Sequence, residues 1–482
     1  MNDTPDSYGD TRLFIRGQWR DGGGGSGAVI NPASGEGIGR FAVADARDLE
    51  DAVSAAVDGF AVWRATPAAE RGAVITAAAA LMDARLDDIA RVITLEQGKP
   101  LAESRLELAR AVDTIKWYGA QAESLGRRDY PERPGQVRQH SAPEPVGVVA
   151  AFTAWNFPAI LPARKLAPAL AAGCSVILKA AEETPATAAR MAEAFAEAGL
   201  PDGVLNLVTG EPAVISEFLL ARPEVRKLSF TGSIPVGKLL ARQAAANLTR
   251  CTLELGGHAP VIVFADADIA AAARDTAAFK FRNAGQVCVA PSRFFIERPV
   301  YDEFVDAFVG IARDLKVGDG LDESTQMGPM ANARRIEAMA ELMADADACG
   351  AETLHGGSRI GERGYFWQPT VLAKVPDNAR VMRDEPFGPV APMVAFEDAD
   401  DAVARANSLS YGLASYLFTG SESTARRVVD GLESGTVGVN TLLPAQPDTP
   451  LGGVKHSGYG YEGGREGLDG FLHLKLVTQA AW

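Results

Sequence analysis

The sequence predicts an α/β protein whose parallel sheets are covered by helices. Short β-branched runs alternate with alanine-rich helical segments, which is the arrangement of repeated βαβ units. The chain has 482 residues, more than one ordinary core accommodates, so two or three domains are expected. Hydrophobic residues make up 47% of the chain and charged residues 23%, which are ordinary proportions for a globular protein.

Five apolar runs are predicted strands, because each is short, rich in β-branched residues and bounded by turn-forming residues. They are 147–152, 175–178, 204–208, 227–230 and 260–264. Other segments are rich in alanine or have apolar residues three and four positions apart, which predicts helices. They are 48–63, 103–123, 160–172, 187–198 and 213–221.

Three segments do not fit this alternation. Residues 127–142 are polar and contain two prolines, so they form either a linker or a hairpin that leaves the domain. Residues 472–479 alternate like a strand, and an edge strand must be covered by another element or another subunit. This strand indicates oligomerisation. Residues 21–26 contain four consecutive glycines and predict a turn, because no helix follows directly to make a phosphate loop.

Charge and cysteine content exclude several classes of function. The net charge is −15, which repels nucleic acid and anionic membranes, so neither is an expected partner. Four cysteines without a CxxC pair predict neither a disulfide framework nor a zinc site. Residues 1–10 have no apolar core of a signal peptide, and the apolar stretch 148–178 is broken by charges and prolines. We therefore expect a cytoplasmic enzyme without a metal.

Cys288 has the surroundings that best suit chemistry. Small and polar residues precede it in Asn283-Ala284-Gly285-Gln286-Val287, so its thiol is expected in a loop. A thiol with a base elsewhere in the chain is a candidate covalent nucleophile. The alternative is a buried and inert cysteine, which is the common state of a free thiol.

Further motifs accompany Cys288 in a fixed order along the chain. They are Thr153-Ala154-Trp155-Asn156-Phe157-Pro158, Phe230-Thr231-Gly232-Ser233, Leu253-Glu254-Leu255-Gly256-Gly257, Glu385-Pro386-Phe387-Gly388-Pro389, Asn440 and Gly452-Gly453-Val454-Lys455. In this order and spacing they resemble the aldehyde dehydrogenase superfamily over nearly the whole chain. Single motifs are weak signals, and the ordered set is specific.

The resemblance implies a three-part architecture. A Rossmann-variant NAD-binding domain would comprise 1–126 and 143–253, and an α/β catalytic domain 254–440. Residues 127–142 and 464–482 would form a small β oligomerisation arm, and 441–463 would return to the cofactor domain. A homodimer or a homotetramer follows from the same resemblance.

The resemblance also implies a catalytic set. Cys288 would add to the aldehyde carbonyl, and the oxyanion would be held by the Asn156 amide and the Cys288 backbone N–H. Glu254 would activate the water that hydrolyses the thioester, which favours hydrolysis over transfer to CoA. Lys165 and Glu462 match proton-relay positions, or form a structural ion pair. Asn156 could instead be a turn residue, and Glu254 a strand-end carboxylate that binds a cation.

The cofactor expected from the resemblance is a nicotinamide dinucleotide, although no GxGxxG motif follows a strand. Its pyrophosphate would lie at the helix N-terminus after Gly232 and Ser233, where free N–H groups favour anions. Lys179 and Glu182 would bind the adenosine ribose. Since a carboxylate repels a 2′-phosphate, NAD is favoured, with NADP as the alternative. The implied contacts are Thr153, Trp155, Lys179, Glu182, Gly210, Phe230, Gly232, Ser233, Leu255, Glu385 and Phe387.

Three of these contacts have separate expected roles. Trp155 would contact a phosphate, Glu385 the nicotinamide ribose and Phe387 the nicotinamide ring. In each case an ordinary alternative exists: Lys179 and Glu182 could lie in a solvated loop, and the Glu385-Pro386 pair could form only a rigid turn.

Two arginines carry the prediction of substrate. Arg164 and Arg282 stand at tunnel positions that are aromatic in family members that oxidise apolar aldehydes, and two guanidinium groups favour a planar anion. The pattern is similar to the succinate-semialdehyde dehydrogenase branch, so succinate semialdehyde or another short anionic semialdehyde is the predicted substrate. Each arginine could instead pair with a structural acid, which would fit a broad-specificity or aromatic aldehyde dehydrogenase. A non-catalytic protein of the same fold is the remaining alternative.

Two departures from that branch leave the identity of the substrate's anionic group open. Its serine in the loop after Asn440 is absent from Leu442-Leu443-Pro444-Ala445-Gln446, and Ala290 stands where the branch has a second cysteine. The anion could therefore belong to another dicarboxylic semialdehyde or to a sulfonate.

Overall fold

The computed structural model describes residues 8–131, 138–443 and 445–480. Residues 1–7 of the predicted NAD-binding domain, 132–137 of the predicted arm and Pro444 lie outside the described residues, as do 481 and 482.

The described strands fall into four sheets. In chain order they are β1 (Leu13–Ile15), β2 (Gln18–Arg20), β3 (Ser26–Asn31), β4 (Glu36–Ala42), β5 (Arg128–Asp129), β6 (Arg138–Pro145), β7 (Val148–Phe152), β8 (Ser175–Lys179), β9 (Leu205–Val208), β10 (Val225–Thr231), β11 (Arg250–Glu254), β12 (Ala259–Val263), β13 (Pro291–Glu297), β14 (Glu352–His355), β15 (Thr370–Ala373), β16 (Val390–Phe396), β17 (Ala414–Phe418), β18 (Thr436–Val439), β19 (Gly458–Tyr459) and β20 (Leu472–Gln479).

The α-helices cover the two large sheets. They are α1 (Ala46–Ala65), α2 (Ala68–Ala84), α3 (Leu86–Gln97), α4 (Leu101–Gln121), α5 (Ile160–Ala172), α6 (Pro185–Glu197), α7 (Pro212–Leu220), α8 (Ile234–Ala245), α9 (Ile269–Phe281), α10 (Tyr301–Asp314), α11 (Ala333–Ala348), α12 (Arg380–Arg383), α13 (Ala399–Ala406), α14 (Glu422–Gly431) and α15 (Gly464–Asp469).

The first large sheet has the order β19-β11-β10-β7-β8-β9-β1-β2, with a parallel centre from β11 to β9. Both of its faces are buried. In β7, Val149 and Ala151 enter the core beneath α2 to α6, whereas Val148 and Ala150 enter the core beneath α1, α7 and α8. Since side chains alternate along a strand, a strand covered on both faces is apolar at every position, which explains the uninterrupted apolar runs.

The second large sheet has the order β14-β15-β16-β13-β12-β17-β18 and is parallel except at β14. One continuous core covers it and includes side chains of α9, α10 and α11. The predicted α/β fold with Rossmann-like parallel sheets is confirmed. The five predicted strands and five predicted helices are all present, with ends that differ from the prediction by a few residues.

Local signals explain where two of these helices begin and end. Asp45 caps α1 by accepting hydrogen bonds from the Arg47 and Asp48 backbone N–H groups, and Asp48 returns the contact in a capping box. Helix α5 ends at Gly173, whose φ of 95° lies in the left-handed region that glycine adopts without strain.

The tail strand β20 pairs antiparallel with β6 from Leu472↔Pro145 to Gln479↔Arg138, and β5 extends this small sheet. The preceding segment instead joins the first sheet, because Leu468 and Phe471 are buried in its core. Leu474 and Leu476 on β20 are 71% and 60% exposed. The division into domains and the oligomerising role of this sheet stay predictions.

In the part of the chain that the structure describes, no helix is both long and apolar enough to cross a membrane. The cytoplasmic location stays a prediction.

Candidate active site

Parallel strands of the first sheet end together at one edge, and the segments that follow them meet there. Thr153 follows β7, Gly232 follows β10, and Lys179 and Glu254 end β8 and β11. A cavity of about 700 Å³ opens at this edge and is also lined by Cys288 from the second sheet's side. In open α/β sheets this is where ligands bind.

The cavity brings most of the predicted site residues together. Its walls include Cys288, Glu254, Asn156, Arg164, Arg282, Thr153, Trp155, Lys179, Glu182, Phe230, Gly232, Ser233, Leu255, Glu385 and Phe387. Lys165, Glu462 and Gly210 do not line it. Gly210 has a φ of 138° and lies against Val43 and Ala44, so it shapes the turn after β9.

The loop before Cys288 has an unusual backbone. Asn283, Ala284 and Gly285 all have positive φ, at 50°, 52° and 71°. Such φ values in residues other than glycine cost about 1–3 kcal/mol each and persist only where neighbours hold them. The Asn283 backbone N–H donates to the Glu103 carboxylate at 2.9 Å, and its side-chain amide donates to the Asn156 carbonyl at 2.9 Å. The half-buried Cys288 thiol is therefore presented by a fixed loop, as the sequence predicts.

The surroundings of Cys288 disfavour its thiolate form. Burial, together with the carboxylates Glu385 and Glu254, raises the pKa of the Cys288 thiol to about 12, against which the Arg164 guanidinium acts. Nucleophilic attack requires the thiolate, so a base must take this proton.

Glu254 is the nearby carboxyl suited to act as a base. Its Oε1 is buried and has no hydrogen-bond partner among the described residues. Burial and the Glu462 carboxylate raise the pKa of Glu254 well above its usual value, whereas Lys165 and Arg164 lower it. No described cation lies within salt-bridge distance of Glu254, so the alternative of a strand-end ion pair does not describe it.

Lys165 and Glu462 form a buried ion pair behind the cavity. Lys165 Nζ lies 2.5 Å from the Glu462 carboxylate and also donates to the Thr231 hydroxyl at 2.8 Å. The two charges act on the pKa of Glu254 in opposite directions. The structure thus contains the ion pair, while the relay role stays a prediction.

The cofactor side of the cavity fits a dinucleotide. Ser233 begins α8, but its hydroxyl makes no capping bond, so it and the free N–H groups of the first turn can meet a phosphate. Lys179 Nζ and Glu182 Oε1 form a salt bridge at the end of β8. Both side chains line the cavity, so the Glu182 carboxylate can also accept a hydrogen bond from a ribose hydroxyl.

The loop that carries Glu385 and Phe387 forms another part of the cavity wall. Glu385 accepts a hydrogen bond from the Gly257 N–H at 3.1 Å, and burial raises the pKa of Glu385 to about 7. Phe387 has a φ of 44°, and its carbonyl is held by the Arg335 guanidinium at 3.2 Å. The Phe387 and Trp155 rings meet edge to face at 5.5 Å. No group of three potential metal ligands occurs among the described side chains.

Arg164 and Arg282 point to an anion in the cavity because neither forms a salt bridge with a described residue. Arg282 lies over the Phe157 ring at 5.4 Å, and its Nε is buried without a hydrogen-bond partner in the described ranges. The Arg282 charge lowers the pKa of the Glu103 carboxylate, but burial has the larger effect and raises this pKa to about 6. The alternative that each arginine pairs with a structural acid is therefore not what the structure contains.

Comparison with known proteins identifies the family of this chain. The model of the aldehyde dehydrogenase family matches residues 19–477. This chain belongs to the aldehyde dehydrogenase family. It is an NAD(P)-dependent oxidoreductase of aldehydes, and the predicted resemblance is confirmed.

Relatives match over nearly the full length. The 4-(hydroxymethyl)benzenesulfonate dehydrogenase TsaD1 of Comamonas testosteroni is 48% identical over 475 residues, covering 98% of this chain and 99% of that protein. The NADP-dependent succinate-semialdehyde dehydrogenase of Escherichia coli is 41% identical, covering 97% and 98%. The crystal structure of succinate-semialdehyde dehydrogenase from Burkholderia pseudomallei superimposes with a TM-score of 0.96 at 41% identity, covering 98% of each chain.

This aldehyde dehydrogenase positions Asn156 through residues that the sequence analysis missed. Lys99 Nζ donates to the Asn156 carbonyl at 2.8 Å and to the Glu107 carboxylate at 2.5 Å, and all three residues are buried. Glu107 also accepts the Ala159 N–H at 2.7 Å, just before α5, which has no side-chain cap of its own. The Lys99–Glu107 pair thus fixes both the Asn156 backbone and the start of the helix that carries Arg164.

Arg110 is a second residue that the sequence analysis missed. It lies on α4 and lines the cavity with Glu107 and Thr114. The spacing of three and four positions places these side chains on one helix face. Nothing in the sequence alone shows that this face of α4 meets the cavity.

Proposed function

We propose that this enzyme oxidises an aldehyde that carries an anionic group, giving the carboxylic acid and using NAD. The observation that carries the proposal is the pair Arg164 and Arg282, which share a cavity with Cys288 and form no salt bridge with an acid of the described chain. Arginine is rarely buried without a partner, so a ligand anion is the expected complement.

The names of the relatives support the same class of substrate. The Comamonas testosteroni relative is named for a benzenesulfonate, and the Escherichia coli relative for succinate semialdehyde. A relative from Pseudomonas putida, 40% identical, is named 3-sulfolactaldehyde dehydrogenase. Each of these compounds bears a carboxylate or a sulfonate. Succinate semialdehyde, the predicted substrate, belongs to this class.

The first step is addition of Cys288 Sγ to the aldehyde carbon while the thiol proton leaves to a base. The carbonyl oxygen then becomes an oxyanion that needs donors. Asn156 Nδ2 donates one hydrogen to the Gln286 carbonyl at 3.1 Å, which orients the amide and leaves its second hydrogen for the oxyanion. The Cys288 backbone N–H supplies the other donor.

The second stage is hydrolysis at Cys288. When bound, the nicotinamide supplies the acceptor for the hydride that leaves the substrate carbon. Glu254 then takes a proton from the water that attacks the thioester carbonyl, and the Cys288 thiolate departs as the carboxylic acid is released. A raised pKa makes Glu254 a stronger base than an exposed glutamate, which suits this role. Because Glu254 activates water, we propose hydrolysis and not acyl transfer to CoA.

NAD is the proposed cofactor because the family resemblance assigns Glu182, which lines the cavity, to the adenosine ribose. Its carboxylate is paired with Lys179 and would meet a 2′-phosphate with like charge. The second nearby acid, Glu183, forms a salt bridge with Arg334. The family includes a relative named for NADP, so the preference is a property of these residues and not of the fold.

We also propose that the enzyme is a homodimer or a homotetramer assembled through the β5-β6-β20 sheet. The exposed Leu474 and Leu476 on β20 support this, since large exposed apolar side chains in a row favour contact with another surface. Light scattering of wild type and of the Leu474→Lys variant tests the assembly. A monomeric wild type would contradict it.

A panel of aldehydes tests the proposed substrate class. We expect kcat/KM to be at least about 10-fold higher for succinate semialdehyde, 4-formylbenzoate or 4-formylbenzenesulfonate than for hexanal and benzaldehyde, since one charge-assisted hydrogen bond contributes that much. Arg282→Ala should raise KM for an anionic aldehyde more than for a neutral one. If hexanal or benzaldehyde exceeds every anionic aldehyde, the proposal is wrong. Addition of CoA should leave the rate unchanged.

A further inference from the structure

Arg110 adds a third guanidinium to the substrate end of the cavity. It lies on the face of α4 that packs toward α5, one turn after Glu107 and one turn before Thr114, and all three line the cavity. Arg164 on α5 and Arg282 after α9 line the same cavity. Three separate elements therefore bring arginines to one site.

Three carboxylates that line the cavity are paired with cations other than these arginines. Glu107 is paired with Lys99, Glu182 with Lys179, and Glu183 with Arg334. No described acid lies within salt-bridge distance of Arg110, Arg164 or Arg282. Burial and then the charges of Arg282 and Arg164 lower the pKa of Arg110. The charges of Arg282 and Arg164 thus oppose the charge of Arg110, and an anion bound among the three would relieve this repulsion.

The number of donors distinguishes between anions. An ionised carboxylate has about four lone-pair sites, which two bidentate arginines already fill. A third guanidinium would then remain without a partner. A tetrahedral anion with three oxygens, such as a sulfonate or a phosphate, offers about six sites for three arginine forks of two N–H groups each.

We propose that Arg110, Arg164 and Arg282 together bind a sulfonate, and that the substrate is an aldehyde with its sulfonate held away from the reacting carbon. This inference rests on the proposed function, since it specifies the anion that this site accepts. At neutral pH a sulfonate carries no proton on any of its three oxygens, so each guanidinium meets only acceptors, whereas a phosphate-type group is partly protonated near neutral pH.

The walls of the cavity indicate what separates the two ends of the substrate. Arg164 lies close enough to Cys288 and Glu254 to influence both, whereas Arg110 is exposed and therefore lies toward the mouth. The same cavity is also lined by Phe157, Ile160, Leu161, Phe279 and Val287. Apolar and aromatic walls suit an apolar spacer, and an aromatic ring fills such a slot with little loss of conformational entropy.

Matched aromatic aldehydes test the proposal directly. The probes are 4-formylbenzenesulfonate, 4-formylbenzoate and 4-formylphenylphosphonate, which share one ring and differ only in the anion. Initial rates of NADH formation are measured with wild type, Arg110→Gln and Arg105→Gln. Arg105 lies on the same helix, pairs with Asp87 at the surface and does not line the cavity, so this variant controls for lost charge on α4.

The expected result is a preference of wild type for the sulfonate over the carboxylate in kcat/KM of at least about 10-fold. Arg110→Gln should lower that preference by about 10- to 100-fold, the effect of losing one charge-assisted contact, and Arg105→Gln should retain it. Thermal unfolding of each variant confirms folding, since both side chains are exposed.

Three outcomes overturn the proposal: a wild-type preference for 4-formylbenzoate, a preference for the phosphonate, or an Arg110→Gln variant with unchanged sulfonate preference. Each leaves the proposed function in place if the anionic aldehydes still exceed benzaldehyde. The proposed function itself fails only when benzaldehyde exceeds all three anionic probes, so the two failures are distinguishable.

Discussion

The buried pair Lys99–Glu107 gives the sharpest test of how the oxyanion site is held. Lys99 Nζ lies 2.5 Å from the Glu107 carboxylate, 2.8 Å from the Asn156 carbonyl oxygen and 4.1 Å from the centre of the Phe157 ring. Lys99→Met removes all three contacts and leaves a buried carboxylate without its cation. Removing one partner of a buried pair costs about 3–5 kcal/mol, so the free energy of unfolding should fall by that amount.

The same substitution should lower kcat, because the Asn156 backbone loses a donor that fixes its position. Loss of one oxyanion donor costs about 100- to 1,000-fold in kcat, which sets the upper bound for a displaced Asn156. The double variant Lys99→Met, Glu107→Met should recover most of the stability, since an apolar pair replaces an ionic one. It should not recover kcat, because the donor to the Asn156 carbonyl is still missing.

Urea unfolding followed by tryptophan fluorescence and steady-state NADH formation measure the two effects separately. Lys116→Met is the matched control, since it removes the exposed pair of Lys116 on α4 with Asp83 on α2, which is worth at most about 1 kcal/mol. A Lys99→Met variant with the stability and kcat of wild type would refute the reasoning. A double variant with wild-type kcat would show that the pair does not position Asn156.

Three further predictions concern the chemistry and the cofactor. Glu254→Gln should lower kcat by about 100- to 10,000-fold and leave a single burst of NADH, because the thioester forms but the attacking water lacks a base. Rapid mixing detects the burst. Absence of the burst would contradict the role of Glu254 as the base for hydrolysis. Glu254 acts deprotonated, so activity is lost as pH falls through its raised pKa. Arg164→Met should move the acidic limb of the pH profile of kcat to higher pH, because the Arg164 guanidinium lowers the pKa of both Glu254 and Cys288. Measuring kcat against pH for both proteins gives the shift. A shift of the limb to lower pH would contradict this reasoning. Glu182→Ser should lower the ratio of kcat/KM with NAD to kcat/KM with NADP by about 10-fold, because one like-charge contact with the 2′-phosphate is removed. Steady-state kinetics with both cofactors measure this ratio. An unchanged ratio would show that Glu182 does not select the cofactor.

Sequence patterns predict the parts of this structure that depend on residues close together in the chain. The run that forms β7 is apolar at every position because both faces of its sheet are covered, and helix α5 ends where Gly173 permits a left-handed turn. The ordered motifs also placed Cys288, Glu254 and Asn156 in one cavity correctly.

Contacts between distant elements were not accessible in the same way. Lys99 reaches Asn156 across 57 positions of sequence, and no periodicity connects a loop lysine with a later strand end. Arg110 could not be assigned to the site from the sequence, because the sequence does not specify which face of α4 borders the cavity. Gly210 lies in the turn after β9 and does not line the cavity, and its expected contact with the cofactor stays a prediction.

The path of the chain end has a consequence for biosynthesis. Strand β20 pairs with β6, more than 300 residues earlier, and Leu468 and Phe471 fill the core of the first sheet. A ribosome that has released the first 450 residues has therefore not yet supplied the side chains that complete the N-terminal core. Long-range pairing of this kind is slow, because loop closure precedes the contacts that stabilise it. The nascent chain therefore exposes an incomplete apolar surface until residues 464–479 have been synthesised, and exposed apolar surface of this kind favours aggregation.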